Sequence, residues 1–154
     1  MSEKTALLQV QDLRVEFRTG REIVNAVNGA NFSVHPGETL AILGESGSGK
    51  SVTASTIMRL LQSPPGFVTG GKVMFKGTDI LKLPLNEWRK MSGKNIALVT
   101  QDALTSLNPV FKVGWQIAEM FRVHGETKDG DPMERAIELL ERVGIPAPRD
   151  RAND

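Results

Sequence analysis

Residues 10–18 alternate, with Leu13, Val15 and Phe17 on one side and Arg14, Glu16 and Arg18 on the other. A period of two marks a strand with one covered face and one wet face. "TGRE", residues 19–22, reads as a turn, and residues 23–27 and 30–34 as two short strands ended by the Pro-Gly turn of "HPGE", residues 35–38. The pattern then changes. "TLAILG", residues 39–44, is apolar at both parities, which predicts a strand covered on both faces in the middle of a sheet.

From residue 50 the spacing becomes helical. Val52, Ala54, Ile57, Leu60 and Leu61 predict a helix over 50–62, stopped by "SPPG" at 63–66. Residues 73–75 form a short strand between glycines, and a helix is expected around 86–91. "NIALV", residues 95–99, is a second fully apolar strand, followed by a polar loop that closes at Asn108-Pro109. Residues 113–123 place Val113, Ile117, Met120 and Phe121 on one helical face, expected to pack in the core. The last helix has a marked start: Asp131 as N-cap, Pro132 at the first helical position, and Glu134 completing a capping box. Gly144-Ile145 predicts a Schellman stop, Glu138 and Arg142 stand in i,i+4 relation, and the tail "PAPRDRAND" is expected to bury nothing.

The chemistry lies between the first apolar strand and the helix. In "LGESGSGKSVT", Gly44, Gly49, Lys50 and Ser51 fit G-x-x-x-x-G-K-[ST], the phosphate-binding P-loop. Phosphate oxygens are held by several backbone N–H groups aimed at one point, and glycines let a chain curl tightly enough to supply them. The expected anion seat therefore comprises Gly44, Glu45, Ser46, Gly47, Ser48, Gly49, Lys50, Ser51 and Val52. The positive end of the following helix adds to it. Lys50 would reach the β- and γ-phosphates and act catalytically, and Ser51 would offer a hydroxyl to Mg²⁺.

Bulk properties remove competing classes. The 154 residues suit one domain or a large part of one, and the net charge of +1 gives no field to recruit nucleic acid. There is no cysteine, so disulfides and thiolate metal sites are excluded. No apolar run approaches the roughly 20 residues a membrane-spanning helix needs. His35, in a turn, and His124, at a helix end, lack any partner at a recognisable spacing and are expected to be structural or solvated.

The whole layout resembles the ATP-binding subunit of an ABC transporter, nearest to the oligopeptide and dipeptide importer branch. "VNGANFSVHPGETLAILGESGSGKSVT" and "TQDALTSLNPVFKVGWQI" carry the resemblance, with Ser106 to Pro109 typical of that branch. It implies an α/β P-loop NTPase fold, incomplete here. An N-terminal antiparallel β-subdomain and P-loop core would occupy about 8–100, and the glutamine loop and start of a helical subdomain about 101–154. Phe17 would be the aromatic that stacks on adenine, although alternation alone makes it ordinary core. Gln101 would contact Mg²⁺ and the attacking water and relay nucleotide state to the membrane subunits. The implied cofactors are ATP and Mg²⁺. The implied partners are a second ATP-binding subunit, transmembrane permease subunits and, indirectly, a solute-binding protein, with the subunit cytoplasmic and peripheral on the membrane.

The pattern departs from the family in places. Val52 stands where Ser or Thr often follows the Mg²⁺ hydroxyl, and Thr100 and Ala103 replace the Phe and Pro usual around the glutamine. No apolar run ends in Asp-Glu, and the family's Leu-Ser-Gly-Gly-Gln-like segment and switch histidine are absent. The resemblance implies that all three lie beyond residue 154. The residues given are then expected to be catalytically inactive alone, with 40–43 and 95–99 exposed for want of sheet neighbours. Two other readings stay open: a small P-loop kinase or phosphotransferase, and a nucleotide-binding module that never turns over.

Overall fold

The early alternation folds as β1 (Leu8–Thr19), with Val10, Leu13 and Val15 buried and Arg14 and Arg18 exposed. The structure is a computed structural model that describes residues 5–20, 22–100, 106–125 and 130–154. These gather into two units, residues 1–92 and 93–154. In the first, β1 is flanked by antiparallel partners, β2 (Glu22–Val34) and β3 (Gly66–Phe75). A short β4 (Thr78–Asp79) completes a four-stranded sheet in the order β2-β1-β3-β4. Lys76 and Gly77, both at positive φ, form the two-residue turn between β3 and β4 that suits the right-handed twist of a hairpin.

The break expected between residues 27 and 30 does not occur, because β2 runs straight through Asn28-Gly29. Side chains hold it to the sheet there. Arg14 Nη1 donates to Asn28 Oδ1 (2.8 Å), Asn31 Nδ2 donates to the Gly29 carbonyl (2.8 Å), and Asn31 Oδ1 accepts the Asp12 N–H (2.9 Å). Asp12 itself has φ 45°, and the register of β1 shifts around it against both neighbours. β3 likewise begins at Gly66 rather than at residue 73.

The P-loop helix is shorter than its apolar spacing predicts. It forms α1 (Lys50–Ile57) and stops in a Schellman motif, with Leu60 N–H on Ser55 O (2.8 Å) and Arg59 N–H on Thr56 O (3.0 Å). Arg59 takes the left-handed position (φ 54°) that glycine usually fills. Its guanidinium donates to the carbonyls of Leu83 (2.7 Å) and Ile80 (3.3 Å), and these bonds offset the strain. Such side-chain bonds leave no periodic trace, so Leu60 and Leu61 read as a continuing helix. α2 (Leu85–Met91) buries Trp88 near the expected place.

Neither apolar segment forms a strand. Residues 39–44 and 97–100 pair with no other strand among the described residues. Leu43 is 90% and Val99 95% exposed, and Leu40, Ile42 and Leu98 are also exposed. A strand apolar on both faces needs hydrogen-bonding neighbours on both edges and cover above and below. No described strand supplies them, as the exposure expected for these residues anticipates.

In the second unit, α3 (Val113–Val123) packs on α4 (Pro132–Arg142), which packs on α5 (Pro148–Arg151). The buried stripe of α3 is Gly114 and Ala118, while Met120 is exposed, contrary to the expected core face. The tail does bury something: Ala152 is 2% exposed, and its carbonyl accepts the Gly114 N–H (2.9 Å). Two small residues meeting at close range give no hydrophobic signal in sequence, yet they pack well.

Asp131 caps α4 through its side chain on the Met133 N–H (3.0 Å), and Gly144 ends it in the predicted Schellman geometry. The capping box does not close, because Glu134 forms a two-pronged pair with Arg149 (2.9 and 2.8 Å). Arg135, rather than Arg142, pairs with Glu138 (2.8 Å).

Arg149's hydrogen bonds lower the Glu134 pKa from the ordinary 4.5. A carboxylate with a depressed folded pKa adds stability that is complete above its unfolded pKa and is lost as pH falls through the folded value. The thermal midpoints of the wild type and Glu134→Gln should therefore differ near neutral pH and converge as the pH drops below 4.5. A constant gap down to strongly acid pH would show that the pair contributes nothing.

Candidate functional site

The glycine loop folds as a tight curl leading into α1. Gly47 (φ 83°) and Gly49 (φ 88°) both adopt the left-handed conformation, and Ser48 N–H bonds back to Glu45 O (3.2 Å). Gly49 is the residue before the helix, and Thr53 N–H on its carbonyl (2.8 Å) is the first helical bond. No side chain caps this end, and the first turn holds no acidic residue. The early N–H groups of α1 are thus left for a ligand, with the positive end of the helix dipole behind them.

β2 fixes where the curl sits. The Cα of Gly49 lies so close to Ala26 O that a Cβ there would overlap it, and the same Cβ would lie 3.4 Å from Val27 Cγ2. At Gly47 a Cβ would meet nothing within 4 Å, so one glycine is pressed against the sheet and the other faces open space. Beside the loop is a cavity of about 380 Å³, lined among others by Val27, Phe32, Ile42, Ser48, Lys50 and Thr53.

Lys50 points back into the curl. Its ammonium donates to Gly44 O and Glu45 O (both 2.7 Å) and to Ser48 Oγ (3.2 Å), using all three N–H bonds within the loop. Ser51 lies exposed in the first turn of α1, and its hydroxyl makes no hydrogen bond within the described residues. Val52 is half-buried, and its carbonyl accepts the Thr56 hydroxyl (2.7 Å). Ser46 and Gly47 form the exposed turn.

The structure therefore brings together the nine residues expected from 44 to 52. Phe17 stands apart from them in role: it is half-buried in β1, opposite Val24 on β2 and Gly66 on β3, and does not line the cavity beside Lys50. Gln101 lies outside the described residues. His35 Nδ1 meets Glu38 Oε2 (2.9 Å) inside its turn, in keeping with a structural role. Ala26 and Val27 escape a sequence reading, because nothing in a run of strand residues marks which carbonyl will face a loop more than 20 positions away.

No group of three or more His, Asp or Glu side chains is placed to hold a metal among the described residues. A lone hydroxyl such as that of Ser51 suits Mg²⁺, which keeps several waters and takes its remaining oxygens from phosphates. No helix among the described residues is long and apolar enough to cross a membrane.

The chain is 47% identical to the oligopeptide transport ATP-binding protein OppD of Bacillus subtilis (strain 168), over 99% of its own length and 43% of that protein. It thus spans less than half the length of this curated relative. Its fold matches a dimeric ATP-binding cassette in a post-hydrolysis state bound to ADP and Pi, with a TM-score of 0.75 at 22% identity over 95% of this chain and 60% of the other. It also matches cbiO1 from Clostridium perfringens, part of the ABC transporter complex cbiONQ, with a TM-score of 0.58 at 23% identity over 92% and 51% of the two chains. The family model described as ABC transporter matches residues 27–154, from the β2 residue that backs the P-loop to the last residue of the chain, and the chain belongs to that family.

Proposed function

We propose that this chain forms the phosphate-binding part of an ATP-binding subunit that energises the import of peptides or similar small solutes. One observation supports the reading: Gly47 and Gly49, both at positive φ, curl the loop into the uncapped N-terminus of α1, with the Lys50 ammonium held inside the curl. The 47% identity to an oligopeptide transport ATP-binding protein supports the peptide reading of the cargo. In the complete subunit, Lys50 binds the β- and γ-phosphates, Ser51 holds Mg²⁺ through its hydroxyl, and Gln101 orients the attacking water. Phe17, on β1 between β2 and β3, carries the adenine.

The subunit pairs with a second ATP-binding subunit, and the likeness to a dimeric cassette supports this. It docks through its glutamine loop on transmembrane permease subunits fed by a solute-binding protein, which places it at the inner face of the membrane. Nucleic acid plays no part, in line with a net charge of +1. Hydrolysis requires the Mg²⁺ carboxylate, the family signature segment and the switch histidine, so residues 1–154 by themselves should bind nucleotide without turning it over.

Calorimetric titration with ATP, with and without Mg²⁺, followed by a phosphate-release assay, tests the reading. Saturable binding strengthened by Mg²⁺, with no turnover by residues 1–154 alone and turnover by the intact subunit, is expected. Transfer of phosphate to a small acceptor would instead make it a kinase.

A further inference from the structure

A separate cavity, of about 280 Å³, lies in the first unit at the end of α1 away from the glycine loop. None of its lining residues borders the cavity beside Lys50. The chain builds it by ending α1 early. Arg59, at φ 54°, turns the backbone out of the helix, and Leu61 and Ser63 lead on to the start of β3, where Phe67 and Val68 form a wall. A Cβ at Gly66 would lie 2.8 Å from Leu61 Cδ1, so the glycine lets Leu61 rest against the strand.

The walls divide by chemistry. Leu61, Phe67, Val68 and Leu81 are apolar, and no Asp or Glu lines the cavity. Its charge comes from Arg59, which is half-buried. Arg59 Nη1 spends both its hydrogens on Leu83 O (2.7 Å) and Ile80 O (3.3 Å). Its Nε and Nη2 make no hydrogen bond, and no carboxylate pairs with it, among the described residues. Arg18, whose guanidinium lies 4.6 Å from the Phe67 ring centre, is by contrast paired with Glu16 (2.6 Å). The Ser63 hydroxyl is exposed and makes no hydrogen bond within the described residues.

A half-buried cation without a counter-ion, set beside apolar walls, matches an anion with an apolar body. Nε and Nη2 are the side-on donors that take both oxygens of a carboxylate. A phosphate dianion would carry more charge against the apolar walls, at a higher desolvation cost. The volume falls just below the range of about 300–1,000 Å³ typical of drug-sized ligands, so the occupant is small. We propose that this cavity binds a small carboxylic acid with a short hydrocarbon body. Its carboxylate sits on Arg59 Nε and Nη2 and the Ser63 hydroxyl, and its body lies against Leu61, Phe67, Val68 and Leu81. The site stands apart from the glycine loop and does not rest on the nucleotide reading.

The test is ligand-observed NMR on the intact protein, with hexanoate as the probe and hexanol, the same body without the charge, as the control. Hexanoate is expected to bind saturably and about tenfold more tightly than hexanol, the scale of one charge-assisted hydrogen bond. Arg59→Gly suits the positive φ at this position and removes the guanidinium, so it should bring hexanoate down to the affinity of hexanol. Ser63→Asp alters an exposed loop residue and puts a carboxylate in the cavity wall. It should weaken hexanoate by about tenfold or more and leave hexanol near its wild-type affinity. Neither ATP nor inorganic phosphate should displace the acid.

The proposal is overturned if hexanoate does not bind saturably, if hexanol binds equally well, or if Ser63→Asp leaves hexanoate binding unchanged. Displacement by inorganic phosphate would make the cavity a general anion seat, and displacement by ATP would put hexanoate at the glycine loop; either result overturns it too. Should Arg59→Gly fail to fold, Ser63→Asp and the comparison of acid with alcohol decide.

Discussion

Lys50→Ala is expected to lower ATP affinity by about 10- to 100-fold while leaving the fold intact. The magnitude follows from a charge-assisted hydrogen bond, about 1.5–3 kcal/mol, at roughly tenfold per 1.4 kcal/mol. The fold should survive because the lysine bonds only within the loop, to Gly44 O, Glu45 O and Ser48 Oγ, and those acceptors can turn to water. Lys50→Arg should fail nearly as badly. Three acceptors converge on one point around the ammonium, whereas a guanidinium spreads its donors over a flat fork. Isothermal titration with ATP and circular dichroism of each variant check the two halves of the expectation. ATP binding that persists unchanged in Lys50→Ala would remove the basis for every nucleotide reading of this chain.

The motif that carries this prediction is legible in sequence because its requirements are local. Gly47 and Gly49 need positive φ, and the lysine and serine follow at fixed distance, so the loop can be recognised without knowing what surrounds it. The β1 alternation is equally local, and Asp131 and Gly144 mark the ends of α4 by side-chain and backbone chemistry within a few residues. What sequence does not show is long-range. The continuity of β2 through Asn28-Gly29 depends on Arg14, fourteen positions away. The end of α1 depends on Arg59 finding the Leu83 carbonyl, and the burial of Ala152 on a glycine in α3. Glu134 satisfies every sequence rule for a capping box and takes Arg149 instead, because a guanidinium in reach is a stronger partner than a backbone amide. The apolar runs at 39–44 and 95–99 are a different case. Their pattern specifies strands only in combination with neighbours on both edges, and pattern alone cannot supply those neighbours.

Gly49→Ala is expected to be the most damaging single-methyl change in the loop, costing about 2–5 kcal/mol of stability and most of the nucleotide affinity. Two independent penalties meet at this position. Holding an L-residue at φ 88° costs about 1–2 kcal/mol. The new methyl also overlaps Ala26 O, a backbone atom of β2 that cannot rotate away, and displacing packed backbone costs typically a further 1–3 kcal/mol. Relief requires the start of α1 to move off the sheet, and that start carries Lys50 and the uncapped N–H groups of the first turn. Gly47→Ala isolates the first penalty. Its φ of 83° is nearly the same, but its Cβ would enter open space, so its cost should stay near 1–2 kcal/mol. Thermal unfolding of both variants, with ATP titration of each, should place Gly49→Ala well below Gly47→Ala in midpoint and affinity. Equal losses in the two would mean that β2 does not hold the loop, and that the curl alone positions its amides.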